Sequence, residues 1–103
     1  MSVAELPIRI DRGKIAEFCR AHGIRKLSLF GSVLRDDFDP KRSDVDVLAE
    51  FEPGALAETG WEYFRYGDEL GKILGQRVDF CSQLDKRFAA EVRGQALTLH
   101  EQS

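Results

Sequence analysis

The chain has 103 residues, 15 basic and 18 acidic, for a formal net charge of −3, with 43% hydrophobic and 32% charged residues. These proportions fit one soluble domain around a single core, and the acidic balance argues against a nucleic-acid coat protein, which needs a basic surplus. No apolar run approaches the ~20 residues of a membrane-spanning helix, Met1–Pro7 carries no secretory signal pattern, and Cys19 and Cys81 stand in no metal-binding spacing, so a cytoplasmic protein with reduced thiols and no membrane partner is expected.

Residues 1–103 are expected to form one domain, with 1–10 as an N-terminal arm. Asp11 can cap a helix whose apolar positions Ile15, Phe18 and Cys19 recur at helical spacing, and Gly23 stops it. Leu27–Phe30 reads as a buried strand ending at Gly31-Ser32, with a short helical turn from Val33. The polar stretch from Arg35 to Ser43, broken by Pro40, reads as a loop. Asp44–Phe51 is the clearest strand: Val45, Val47, Ala49 and Phe51 share one parity, and Asp44, Asp46 and Glu50 the other. A helix is expected from about Thr59, carrying Trp61, Phe64, Leu70, Ile73 and Leu74 and closed by Gly75. Its Gly60, Gly67 and Gly71 each cost roughly 1 kcal/mol relative to alanine, so packing must hold it. Arg77–Phe80 reads as a short strand, a last helix is expected from about Asp85 to Leu97 on Phe88, Val92 and Ala96, and 98–103 as a tail that includes His100. The order predicts an α/β (α+β) domain, a small mixed sheet flanked by helices.

Three features ask for a joint explanation. Asp44 and Asp46, two apart on a strand, leave the same face. Asp79, between the apolar Val78 and Phe80, faces away from the core on another strand. If those strands pair, three carboxylates converge and repel unless a cation intervenes. Mg²⁺ is the natural one, because it takes hard oxygen ligands and keeps sites for phosphate and water. Gly31-Ser32 offers backbone N–H groups and a hydroxyl after a strand, a phosphate-binding arrangement, and Arg35 can add a charge-assisted contact. Singly, each element has an ordinary reading: a turn, a solvated strand face, an exposed aspartate. Together they favour a metal-dependent nucleotide site.

Leu29-Phe30-Gly31-Ser32-Val33-Leu34-Arg35, followed by Ser43-Asp44-Val45-Asp46-Val47-Leu48 and then by Arg77-Val78-Asp79-Phe80, resembles the DNA polymerase β-like nucleotidyltransferase superfamily, above all its minimal single-domain members. The spacer Val33–Ser43 is one residue longer than the family's usual one, a change that loop closure tolerates. The resemblance implies that Gly31 and Ser32 hold the nucleotide triphosphate, that Asp44 and Asp46 bind Mg²⁺, and that Asp79 completes the metal site and helps activate the incoming hydroxyl. It further implies an antitoxin that transfers AMP from ATP to a tyrosine of a HEPN-domain toxin. No second domain encloses a small acceptor, and the glycine-bearing helix from Thr59 to Gly75 with its aromatic residues suits a protein interface. Competing expectations are a binding module that neutralises its partner sterically, nucleotidyl transfer to a small molecule, and a plain acidic domain without a site. Acceptor, base preference, metal count and homo-oligomer formation are left open by the sequence.

Overall fold

The computed structural model describes residues 6, 8–35, 38–82 and 96–102. Helix α1 runs over Arg12–His22, capped by the Asp11 side chain on the Lys14 N–H and ended by Gly23 in the left-handed region. The cap and stop are those expected from the sequence. Its buried face, Ile15, Phe18 and Cys19, lies on strand β1 (Ile24–Phe30). Strand β2 spans Val45–Phe51, strand β3 Val78–Ser82 and strand β4 Leu97–Glu101. The sheet order is β3-β2-β1-β4, with β1 antiparallel to β2 and β4, and β2 parallel to β3.

The parallel pair needs a crossover. It is built by helix α2 (Ala55–Thr59), a 3₁₀ turn (Gly60–Glu62) and helix α3 (Tyr63–Leu74). The single helix expected from Thr59 is therefore broken at its start: Gly60, at φ 60°, ends α2. Trp61 in the 3₁₀ turn and Phe64 on the outer side of α3 face solvent, 67% and 81% exposed, while Tyr66, Leu70 and Leu74 form the buried face of α3. Gly71 explains why the helix accepts its glycines. A Cβ there would stand 2.9 Å from the Gln76 carbonyl oxygen, so its absence lets α3 close onto the turn into β3.

One face of the sheet makes the main core. Leu27, Leu29, Val45, Val47, Ala49 and Phe51 meet α1 and α3 there, and Val78 and Phe80 pack against them. Full burial of such side chains contributes roughly 1.5–3 kcal/mol each. His22 fastens α1 to α3 by stacking on Tyr66 at 4.2 Å between ring centroids and meeting Glu69 at 2.9 Å. On the other face Leu48 and Cys81 form a small buried cluster against Phe30.

The expected tail is a correction. Leu97–Glu101 is strand β4, pairing with Lys26–Leu29 of β1, and Leu99 is buried in the core. The short run Leu97-Thr98-Leu99 alternates too briefly to be read from sequence, and the edge of β1 supplies the order. Most of the helix expected over 85–97, with Phe88 and Val92, lies outside the described residues; Leu97, its expected end, begins the strand. Leu6 and Ile8, expected in an arm, are buried against the core. No helix among the described residues is long and apolar enough to cross a membrane.

Burial pushes the Cys19 thiol up to about 12, against a smaller opposing pull from Arg20. The unfolded thiol ionises near 9.0 and the folded one near 12, so stability is intact below pH 9 and declines as pH rises through that window. The decline is at most about 1.4 kcal/mol per pH unit. Urea unfolding between pH 8 and 11 should show this slope, and Cys19→Ala should flatten it. Both cysteines are buried, so a thiol reagent at pH 8 should label the native chain slowly and the urea-unfolded chain at both positions.

Candidate active site

The candidate residues gather where β1, β2 and β3 meet at one end of the sheet. Phe30, the last residue of β1, pairs with Asp46 of β2, and Asp46 is in register with Asp79 of β3. Neighbouring strands lie about 4.8 Å apart, and residues in register project to the same face. Two half-buried carboxylates therefore stand side by side on the face opposite the main core. The alternation around them enforces this, because Val45 and Val47 are fully buried on the core side.

After Phe30 the chain bends at Gly31, φ 74°, into a single 3₁₀ turn over Gly31–Leu34. The Arg35 N–H donates to the Ser32 carbonyl at 2.9 Å, and the buried Val33 anchors the turn. Gly31 abuts Asp46 so closely that a Cβ at this position would collide with the Asp46 carboxylate. The Gly31-Ser32 backbone thus lies against one carboxylate of the pair. Arg35 ends the turn and is exposed.

The loop that follows is folded by Asp39. Its side chain accepts from the Lys41 N–H at 3.0 Å, its carbonyl from the Ser43 N–H at 2.7 Å, and its own N–H donates to Ser43 Oγ at 3.2 Å. The turn delivers Asp44 to the position just before β2, which begins one residue later than the strand start expected from sequence. Asp44 shares the parity of Asp46, yet its carboxylate is engaged elsewhere: Oδ1 meets Arg77 Nε at 3.1 Å. Asp46 and Asp79 are brought together by strand register, and Asp44 is held by Arg77. Among the described residues no three His, Cys, Asp or Glu side chains form a metal-holding group.

Two features went unread in the sequence. Arg77 lies two residues before Asp79, a spacing that puts it on the same side of the chain, but nothing in the run Arg77–Phe80 announced its partner. Beside it, an open groove of 720 Å³ runs between α3 and the loop, with Lys41, Lys72 and Arg77 on its walls and Asp68 opposing them. Cys81 is the other neighbour of the pair, its Sγ 3.8 Å from Asp79 Oδ1.

The left-handed conformation of Gly31 costs a non-glycine residue roughly 1–2 kcal/mol, and here the Asp46 contact adds to it. Gly54, at φ 84°, has nothing within 4 Å of its missing Cβ. Gly54→Ala should lose only the backbone part, about 1–2 kcal/mol by urea unfolding. Gly31→Ala should lose measurably more, the excess being the displacement of Asp46. Equal losses at both positions would show that Gly31 and Asp46 do not touch.

A family model described as a nucleotidyltransferase domain matches residues 12–98 of the chain. Among curated relatives, a "Putative protein adenylyltransferase" of Methanocaldococcus jannaschii is 35% identical over 66 residues, 64% of this chain and 67% of that one. The fold is similar to a crystal structure of a toxin–antitoxin with AMP-PNP, at TM-score 0.66 and 19% identity over 91% of this chain and 76% of that one. It is also similar to a toxin–antitoxin MntA–HpeT mutant, at TM-score 0.62 and 16% identity over 91% and 75%. With the match extending from α1 into β4 and taking in the Gly31 turn, Asp46 and Asp79, the chain belongs to the nucleotidyltransferase domain family and is an enzyme of that class.

Proposed function

We propose that this nucleotidyltransferase moves AMP from ATP onto a tyrosine hydroxyl of a HEPN-type toxin and so acts as its antitoxin. The observation that carries the reading is the register of Asp46 with Asp79 beside the Gly31 turn. It sets two carboxylates next to a backbone segment that an ATP phosphate can approach. The name of the archaeal relative supports protein adenylylation, the toxin–antitoxin neighbours support a toxin as partner, and the HEPN type of that toxin rests on the family resemblance. Exposed Trp61 and Phe64, with Arg65 4.8 Å above the Trp61 ring, give the surface the residue types that dominate protein interfaces.

The donor set suits Mg²⁺, which binds through one or two carboxylates and completes its shell with phosphate oxygens and water. Asp46 and Asp79 would hold it, with Asp44 as a further ligand; when bound it neutralises phosphate charge. The rest falls to the chain. Gly31 and Ser32 bind the triphosphate through backbone N–H groups and a hydroxyl, and Arg35 is placed one turn on to meet a phosphate. The tyrosine oxygen attacks the α-phosphorus, the bond to the β-phosphate oxygen breaks, and pyrophosphate leaves. The hydroxyl proton passes to an Asp79 carboxylate oxygen, and Asp46 fixes the alignment across the strand pair. The protein acts in the cytoplasm, as its partner class requires.

Incubation with ATP, Mg²⁺ and a purified HEPN-type toxin should raise the toxin's intact mass by one or more AMP units, with peptide mapping to tyrosine. Asp79→Asn should remain folded and bind the toxin while transfer falls about 10²- to 10⁴-fold, the usual contribution of a positioned base. Ser32→Ala, which leaves the backbone donors in place, should raise the KM for ATP modestly. Full protection of cells by Asp79→Asn, with no mass shift on the toxin from either protein, would replace this reading with steric neutralisation.

A further inference from the structure

Arg77, the residue just before β3, makes three links to the start of β2 and the segment that precedes it. Its carbonyl accepts from the Val45 N–H at 2.8 Å, its Nη2 donates to the Arg42 carbonyl at 2.9 Å, and its Nε meets Asp44 Oδ1 at 3.1 Å. The last two hold the guanidinium across the exit of the Asp39 turn. The carboxylates of Asp44 and Asp46 would otherwise leave the same face two residues apart, so the position of Arg77 decides which way Asp44 is drawn. The ion pair is largely exposed, its side chains 68% and 54% accessible, and exposed pairs are weak. Arg77 is thus a cation that can be displaced.

We infer that Arg77 is a positioning residue that competes with the divalent cation for Asp44 and sets the metal affinity of the site. This inference rests on the reading of Asp44, Asp46 and Asp79 as metal ligands. A divalent ion that recruits Asp44 must draw its carboxylate toward Asp46, loosening the contact between Oδ1 and Arg77 Nε, and must also tolerate a neighbouring positive charge. Both effects lower affinity, and both vanish when the side chain is neutral. The bond to the Arg42 carbonyl gives the displaced guanidinium a place to remain, at the wall of the groove it shares with Lys41 and Lys72. The exchange therefore needs no rearrangement of the backbone.

The test is Mn²⁺ binding to the full chain in the presence of AMP-PNP, followed by the paramagnetic resonance signal of free Mn²⁺. Arg77→Gln should bind Mn²⁺ about threefold to tenfold more tightly than the parent, and Arg77→Lys, which keeps the charge, should bind close to the parent value. In an Asp44→Asn background the gain from Arg77→Gln should shrink, because the shared partner is gone. Thermal unfolding of each variant without metal reports any structural loss separately. Unchanged or weaker Mn²⁺ binding by a folded Arg77→Gln, or an equal gain with Asp44→Asn, overturns the competition while leaving the metal site standing. Failure of the parent chain to bind Mn²⁺ at all overturns both this inference and the metal reading beneath it.

Discussion

The site depends on strand register. Asp46 pairs with Phe30 on one side and with Asp79 on the other, so three strands must align for the two carboxylates to meet and for the Gly31 turn to reach them. Register in a half-buried sheet is fixed by its apolar face, since a shift of one residue would turn Val45, Val47 and Ala49 out of the core and bury the acidic positions. The residues that hold the carboxylates in place are therefore hydrophobic and lie on the opposite side of the sheet. Helices α1 and α3 act on the chemistry only through this register.

Glycine has a second, more local role. Gly31 and Gly71 each remove a Cβ where two segments must approach closely, and the two consequences differ. At Gly71 the gain is packing: α3 settles on the turn that launches β3, and β3 carries Asp79. At Gly31 the gain is access: the backbone that follows β1 lies directly against the Asp46 carboxylate.

Much of this was legible in the amino-acid order. The period-two alternation from Asp44 to Phe51, and the placement of Asp79 between Val78 and Phe80, gave the correct faces because burial imposes that pattern on any strand covered on one side. Asp11 and Gly23 marked α1 because caps are local chemistry. What escaped was non-local. Leu97–Glu101 is a strand because the free edge of β1 orders it, and four or five residues of weak alternation cannot announce a partner some seventy positions upstream. Trp61 and Phe64 read as apolar positions of one helix, yet Trp61 lies in the 3₁₀ turn that Gly60 begins and Phe64 sits on the side of α3 away from Tyr66 and Leu70, so both face solvent. Arg77 is read from sequence as the first residue of a short strand; only the fold brings it to Asp44.

The pairing of Arg77 with Asp44 also bears on how an acidic site survives in a folded chain. Asp46 and Asp79 are carboxylates in register on adjacent strands, and like charges so placed cost stability unless neighbouring groups offset them. A third carboxylate two residues from Asp46 would add to that cost if it were directed at the same point. Drawing Asp44 to a guanidinium on the neighbouring strand removes the third charge from the cluster and neutralises it at an exposed position, where solvent limits both the gain and the penalty. The fold thus carries only two of the three aspartates in close register and holds the third at Arg77 through a weak contact. On the proposed metal reading, tight ion pairing at that point would oppose metal capture, and no pairing would leave Asp44 to add its charge beside Asp46; a weak, displaceable arginine satisfies both constraints.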